Sequence, residues 1–362
     1  MGSYLRKLLC LTFILVFIAV QVGCGYQAQL EPAAEVDNNE NAATTKSIDT
    51  TIDDDISSEN ESSVVEDKLK IGYSMASGVG PWYEDLRISI IEAAEQYQIE
   101  LNVFDAGSSI TTACDDIRKM ISEEYDVIGV LPISIEEYNE VLTEAEQAGI
   151  TVIMFDRPVS EESLYDAIIA SDFYHQGELA AQWLIAKKVE IGLTSEPKST
   201  SVAVLHGGFD RGFVQSDKRY QGFADTLAAD NSFVINELLN GEYYNEYAQT
   251  AVAELLSQGE SVDVIYACND SMAIGAVTAI EAAGLTAGQD IIVIGVDATL
   301  EAIELIESGK MNCTVESEPR LGDLFIEYVI KSTAGEKTMR ELYPQEEAID
   351  ASNLESADIW SQ

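Results

Sequence analysis

Short apolar runs alternate from Leu69 onward with segments that repeat apolar residues at helical spacing. Such runs are typical of parallel strands that are buried on both faces by crossover helices. Gly149 provides a helix stop directly before one of these runs. In the first half we predict strands at 69–75, 100–104, 126–131 and 150–155, and helices at 82–98, 111–123 and 135–148.

The second half of the chain repeats this alternation. We predict strands there at 201–206, 233–239, 262–267, 290–296 and 312–315, and helices at 213–230, 244–258, 270–284 and 299–308. Two such series predict an α/β fold with two doubly wound, Rossmann-like parallel sheets. Ligands of these sheets bind beyond the carboxyl ends of the strands. Two facing domains would therefore place both sets of strand ends on one cleft.

Polar residues that follow the predicted strands are the first candidates for ligand contacts. Asp156 and Arg157 end the fourth strand, and a carboxylate beside a guanidinium can accept from and donate to neighbouring hydroxyls. Asn269 follows a later strand and can donate and accept at once, whereas we expect Asp270 to cap the next helix. A surface ion pair between Asp156 and Arg157 is the alternative interpretation.

The N-terminal segment has the pattern of an export signal. Arg6 and Lys7 precede an apolar run from Leu8 to Val20. As a helix this run is about 20 Å long, shorter than the ~30 Å hydrocarbon core of a membrane. The following VQVGCG resembles a bacterial lipoprotein cleavage box, so we predict a signal peptide over 1–24 and lipidation of Cys24. A plain signal peptide with an incidental cysteine is the alternative.

Residues 25–67 are predicted to form a disordered acidic tether. The segment holds twelve acidic residues and one basic residue, with no aromatic residue after Tyr26. This composition cannot bury enough surface to offset chain entropy. The run at 53–55 lacks the glycine and closing glutamate of a calcium loop, which favours a solvated linker.

Charge and composition exclude several function classes. The chain has 362 residues, 46% of them apolar, and a formal charge of −44, so nucleic-acid binding through a basic face is excluded. Two histidines, His175 and His206, and no CxxC spacing leave no basis for a multi-histidine metal site or a zinc ribbon. GGFDRG at 207–212 lacks the features of a P-loop or dinucleotide site, and no GxSxG elbow occurs. We therefore expect no metal and no cofactor.

Seven motifs follow one another in order: GPWYEDL, ITVIMFDRPV, IIASDF, DKRYQGF, IYACNDSMAIGAV, IIVIGVDAT and CTVESEP. Over about 68–345 the chain resembles the type-1 periplasmic binding proteins for sugars, in particular the ribose and galactofuranose binders. The resemblance implies two lobes joined by three hinge strands. It gives an N-terminal lobe of 68–171 plus 318–342 and a C-terminal lobe of 172–317 plus 343–362.

A sugar ring has apolar faces and a rim of hydroxyls, so its site needs an aromatic plate and several polar groups. The resemblance places the stacking aromatics at Trp82 and Tyr83, a second arginine at Arg219 and a ligand carboxylate at Asp297. The alternative for the two aromatics is an N-terminal helix staple or core packing. The alternative for Arg219 is a solvated helix charge, and that for Asp297 is an N-cap. The complete predicted ligand site is Ser77, Gly80, Trp82, Tyr83, Asp156, Arg157, Arg219, Tyr243, Asn269, Asp297 and Ser317.

The chain departs from the ribose binders at several of these positions. Gly80 stands where they usually carry asparagine, and Ser317 stands where they carry a distal glutamine. The second-domain aromatic falls on Tyr243 or Tyr244, with Tyr247 nearby. The WY pair and SLYDAIIASD are closer to the galactofuranose type. We expect His175 to be structural, and His206 either to be structural or to touch ligand.

The resemblance implies a monomeric, extracytoplasmic lipoprotein that captures a monosaccharide by hinge closure and delivers it to an ABC importer. Its partners would be a pentose or hexose in pyranose or furanose form, a permease and, through the lipid anchor, the membrane. A sensory receptor for a membrane kinase or chemoreceptor is an alternative function on the same fold. An enzyme acting on sugars is a weaker alternative, and we expect no catalytic residues.

Overall fold

The computed structural model describes residues 69–75, 81–193, 199–208 and 214–357. The predicted signal peptide, Cys24 and the tether lie outside the described residues, as do Ser77 and Gly80. Among the helices within the described ranges, none combines the length and the apolar character needed to cross a membrane.

The first sheet has six strands in the order β11-β5-β4-β3-β1-β2, and every neighbouring pair is parallel. Its strands are β1 Lys70–Met75, β2 Glu100–Asp105, β3 Val127–Leu131, β4 Thr151–Phe155, β5 Ala167–Ile169 and β11 Glu341–Leu342. Its helices are α1 Pro81–Gln96, α2 Ile110–Ser122, α3 Asn139–Ala148 and α9 Gly322–Thr333. We call this sheet and its helices the first lobe.

The second sheet also has six strands, in the order β12-β10-β9-β8-β6-β7. Only its edge strand β12 is antiparallel to its neighbour. The strands are β6 Thr200–His206, β7 Phe233–Asn240, β8 Val264–Ala267, β9 Ile292–Asp297, β10 Cys313–Glu316 and β12 Ala348–Ile349. With helices α4 Phe173–Lys187, α5 Val214–Leu227, α6 Asn245–Ser257, α7 Asp270–Ala282 and α8 Leu300–Glu307, they form the second lobe. The two sheets confirm the predicted fold class.

The described chain passes between the lobes at three places. The first crossing, 170–172, leads from β5 to α4; the second, 317–321, leads from β10 to α9; the third, 343–347, leads from β11 to β12. The first crossing is paired with the end of β11, directly before the third crossing, since Ala170 N–H donates to the Leu342 carbonyl oxygen at 3.2 Å. The first and third crossings therefore start side by side and can act together as a hinge.

Five elements lie outside the sequence predictions: β5, α4, α9, β11 and β12. The three strands have only two or three residues each and exist through pairing with distant segments, as between Ile168 and Glu341. Helix α3 begins at Asn139 instead of 135, because Ser134 Oγ accepts from the Glu136 N–H in a local turn that competes with helix.

The second lobe packs around one apolar cluster and the first lobe around two. Three cysteines, Cys114, Cys268 and Cys313, are free and buried, as expected of small apolar residues. Burial raises the pKa of the Cys268 thiol to about 12. These thiols therefore pack as neutral groups.

Candidate functional site

A cavity of about 360 Å³ lies between the carboxyl ends of the two sheets. Its volume falls in the range of about 300–1,000 Å³ that is usual for small-molecule sites. Side chains from both lobes line it: Trp82, Tyr83, Asp156, Arg157, Phe173, Gln215, Arg219, Glu242, Tyr243, Tyr244, Asn269, Asp297 and Ser317. All nine predicted site residues within the described ranges are in this set.

Two aromatic rings from the start of α1 form part of the first-lobe wall. Pro81 is the first helical residue, where its missing N–H costs nothing, and Trp82 and Tyr83 follow in the first turn. Their ring centroids are 5.2 Å apart and the rings are nearly perpendicular. Trp82 Nε1 donates to the Ser317 carbonyl oxygen at 3.1 Å. Both rings also pack on the first-lobe core, so they are core residues and cavity residues at once.

Asp156 and Arg157 form an ion pair on the cavity wall, with Arg157 Nη2 2.7 Å from Asp156 Oδ2. The interpretation as an exposed surface pair is wrong, because both side chains are largely buried. Arg157 Nη2 also donates to the Tyr83 hydroxyl at 3.2 Å. Gln215 Nε2, from the second lobe, donates to Asp156 Oδ2 at 3.4 Å. The Asp156 carboxylate is thus held from both lobes.

Arg219 lies at the base of the cavity with 4% of its surface exposed. Its Nε donates to Gln176 Oε1 and its Nη1 to the Cys268 carbonyl oxygen, both at 2.7 Å, and Nη2 lies 3.2 Å from Asp297 Oδ1. Burial opposes its charge, but the Asp297 carboxylate and the nearby Tyr243, Tyr266 and Cys268 side chains together outweigh it, so the pKa of Arg219 is raised. A solvated helix charge is therefore the wrong interpretation for Arg219.

Two aspartates lie close together at the cavity floor: Asp297 lines the cavity, and Asp270 is fully buried behind it. Asp270 accepts hydrogen bonds from the Thr299 N–H at 2.8 Å and from Thr314 Oγ1 at 2.7 Å. Burial and the Asp297 charge raise the pKa of Asp270, and burial also raises the pKa of Asp297 although Arg219 opposes that rise. Asp297 does not cap α8, because Thr299 does so through its side chain.

The residue that caps α7 is Asn269, and our prediction of Asp270 as the cap is wrong. Asn269 Oδ1 accepts from the Met272 N–H at 2.9 Å and caps α7, whereas Asp270 is the first helical residue and is fully buried. Asn269 Nδ2 remains at the cavity and donates to the Tyr243 carbonyl oxygen at 3.4 Å. One carboxamide therefore serves the helix and faces the cavity.

Tyr243 and Tyr244 both line the cavity but differ in exposure. The Tyr243 ring packs directly on Gly207, and a Cβ at that glycine would overlap the ring. Burial raises the pKa of the Tyr243 hydroxyl well above its usual range. Tyr244 is 59% exposed, and its ring centre lies 6.2 Å from that of the equally exposed Tyr247. Tyr243 is thus a fixed wall of the cavity and Tyr244 lies at its rim.

Sequence reasoning missed three lining residues: Phe173, Gln215 and Glu242. The Phe173 ring centre is 5.6 Å from the Arg219 guanidinium carbon, a cation–π contact. Phe173 stands in the IIASDF motif, which could have identified it. Gln215 and Glu242 carry no local signal, because tertiary packing alone brings them to the cavity.

Several lining residues have a left-handed backbone. The φ angle is +63° at Asp156, +53° at Glu242, +65° at Tyr243 and +131° at Asp297. Such strain persists only where the surrounding structure enforces it, and it concentrates at functional sites. Its recurrence in four residues of one cavity makes that cavity the candidate functional site.

Both histidines have structural positions. His206 is 1% exposed; its Nδ1 accepts from the Gly208 N–H at 3.1 Å and its Nε2 lies 3.0 Å from Asp217 Oδ1. Burial lowers the pKa of His206. His175 lies in the first turn of α4 and its Nδ1 is 2.9 Å from Glu178 Oε2. The structural interpretation of His175 agrees with this placement.

The family model described as a periplasmic binding protein domain matches residues 71–337. The chain belongs to this family. Among curated relatives, it is 26% identical to the galactofuranose-binding protein of Escherichia coli over 70% of this chain and 78% of the relative. It is also 26% identical to the ribose import binding protein of Bacillus subtilis, over 76% of this chain and 85% of the relative.

A solved Mycobacterium smegmatis protein in complex with β-D-fucofuranose has a similar fold. Its TM-score is 0.67 and its sequence identity is 29%, with 80% of this chain and 94% of that chain covered. The periplasmic binding protein fold implied by the motifs is confirmed.

Proposed function

We propose that this periplasmic binding protein captures a monosaccharide, in furanose or pyranose form, between its lobes and delivers it to an ABC importer. The observation that carries the proposal is a cavity walled by Trp82, Tyr83 and Tyr243 and edged by Arg157, Asp156, Arg219 and Asp297. Aromatic faces suit the C–H faces of a sugar, and charged groups make the stronger hydrogen bonds to its hydroxyls. The names of the relatives support the same ligand class.

The mechanism we propose is closure about the three crossings. Each lobe supplies part of the cavity wall, so a sugar gains contacts with both only when the lobes approach each other. A preference of about 5.5 kcal/mol for the closed form takes closure from 1% to 99%. The lobe limits 68–171 plus 318–342 and 172–317 plus 343–362 remain part of this proposal.

The location of the protein is also part of the proposal. Family membership supports an extracytoplasmic protein. Lipidation at Cys24 with the tether of 25–67 would hold the lobes near the permease. We propose a monomer, because one copy supplies every wall of the cavity.

We predict that a bound sugar stabilises the protein. At about 100 times its Kd, a ligand adds about 2.7 kcal/mol, which corresponds to a rise in melting temperature of about 5–10 °C. The measurement is a thermal-shift series with D-galactose, D-fucose and D-ribose, whose solutions contain furanose and pyranose rings.

Asp156→Asn should weaken sugar binding at least about tenfold, because a charged hydrogen-bond acceptor is lost.

Asp115→Asn is the matched control, since Asp115 is exposed on α2, far along the chain from the cavity residues. Its response to sugar should equal that of the wild type. An unchanged response in Asp156→Asn would remove Asp156 from the site. Absence of stabilisation by any of the three sugars, with no sugar seen by native mass spectrometry, would contradict the proposed function.

A further inference from the structure

The Glu346 carboxylate joins all three crossings. Glu346 itself lies on the third crossing, and Ser171 Oγ of the first crossing donates to its Oε1 at 2.5 Å. The Glu318 N–H of the second crossing donates to the same oxygen at 3.1 Å. One side chain therefore connects the segments through which the described chain passes between its lobes.

Gln176 connects this carboxylate to the base of the ligand cavity. The Gln176 side chain is fully buried in α4, and its Nε2 donates to Glu346 Oε2 and to the Glu316 carbonyl oxygen, both at 2.9 Å. Its Oε1 accepts from Arg219 Nε at 2.7 Å. The two acceptors fix the amide nitrogen on the hinge side, so the carboxamide oxygen has to face Arg219.

We propose that Gln176 and Glu346 are positioning residues, which hold the Arg219 guanidinium in the cavity and couple it to the hinge. When the lobes move, the crossings move relative to one another, and the Glu346 hydrogen bonds to Ser171 and Glu318 have to change. The orientation of Gln176, and with it that of Arg219, then depends on the state of the hinge. This inference rests on the proposed function only where sugar affinity is concerned.

The raised pKa of Glu346 makes this arrangement measurable. Burial raises the pKa of Glu346 to about 7, although its hydrogen-bond donors and Arg219 oppose the rise. A cavity of about 580 Å³ at the hinge is lined in part by Glu346, so solvent protons can reach it. The charged or titratable groups of the surrounding elements include Asp172, His175, Glu178, Arg219, Glu316, Glu318, Arg320, Tyr343 and Glu347.

The first test uses the full chain without sugar, labelled with ¹⁵N-arginine. The Arg219 Nε–H signal, assigned by its loss in Arg219→Lys, is followed from about pH 5.5 to 8.5, a window centred on the Glu346 titration. The wild-type signal should move with a midpoint near 7. In Glu346→Gln that component should vanish. Any part that persists there belongs to Asp297 and Asp270, and identical curves for both proteins would overturn the proposal.

The same titration affects stability in a defined direction. Because the native pKa of Glu346 is raised, its stabilising contribution is complete below the ordinary carboxyl pKa and is lost as the pH rises through about 7. Urea unfolding at pH 5, 7 and 8 should therefore show a smaller decline for Glu346→Gln than for the wild type. Equal declines would contradict the assigned titration.

The second test measures D-galactose affinity by calorimetry. Gln176→Leu and Glu346→Ala should each weaken binding about tenfold, since each removes a hydrogen bond to a charged group that supports Arg219. Glu347→Gln is the matched control, because Glu347 is the next residue on the same crossing and is exposed. Wild-type affinity in both variants would overturn the coupling. If the wild type does not bind D-galactose, the proposed function is contradicted for that sugar. The arginine signal then still tests whether Gln176 and Glu346 position Arg219.

Discussion

Arg219→Met should abolish stabilisation by D-galactose and lower the free energy of unfolding by about 3–5 kcal/mol. The change leaves the buried Asp297 carboxylate without its cation and removes the donors to Gln176 and to the Cys268 carbonyl oxygen. Breaking a buried pair on one side is costly because the remaining charge stays desolvated. Urea unfolding followed by circular dichroism measures the stability, and a thermal-shift series measures the sugar response.

One further variant separates the role of the Arg219 charge from that of its planar shape, and a second variant is a control. Arg219→Lys keeps the charge but loses the planar fork, so we expect intermediate stability without the sugar response. Arg118→Met removes an arginine whose partners Asp115, Glu140 and Glu144 lie on the surface of the first lobe. That control should leave the melting temperature and the sugar response nearly unchanged. A sugar response retained by Arg219→Met would show that Arg219 is not a ligand group.

Gly177→Val should destabilise the protein by about 1–3 kcal/mol or more and weaken D-galactose binding at least about tenfold. A Cβ at Gly177 in α4 would overlap the carbonyl oxygen of Arg219 and stand 2.7 Å from the Phe223 nitrogen. The backbones of α4 and α5 are in contact there, so any side chain pushes α5 away. Arg219 lies on α5 and would leave its position at the cavity floor.

Gly222 in α5 makes the reciprocal approach, since its Cβ would overlap the Tyr174 carbonyl oxygen. Gly222→Val should therefore behave like Gly177→Val. Gln221→Val is the matched control: it puts the same β-branched residue on an exposed position of α5, where only helix propensity changes, by at most about 0.7 kcal/mol. Calorimetry and urea unfolding test all three variants. Wild-type stability and affinity in both glycine variants would refute the close helix contact.

Most of the cavity could be predicted because its residues carry local signals. Asp156, Arg157 and Asp297 stand where apolar strands end, and Trp82, Tyr83 and Arg219 stand in recognisable motifs. The exchange between Asn269 and Asp270 could not be predicted, since a one-residue difference in where α7 begins decides which side chain caps it. Gln215 and Glu242 carry no local signal of either kind.

The hinge was harder to predict than the lobes. Residues 167–169, 341–342 and 348–349 are too short to show periodicity, and their strands form through pairing with residues far along the chain. Glu346 lies among thirteen other acidic residues after position 300 that look alike in the sequence, including Glu341, Glu347 and Asp350. Its contacts with Ser171, Gln176 and Glu318 depend on three crossings meeting in space.

The local pattern of apolar and polar residues alone determined that this chain alternates strand and helix in two series. A strand that is buried on both faces leaves a short apolar run in the sequence, and a helix that is buried on one face leaves apolar residues at helical spacing. Packing of the complete chain decided that Arg219 is buried between Gln176 and Asp297, and that Glu346 ties the crossings together. Those contacts join residues between 28 and 175 positions apart, and no local periodicity records such distances.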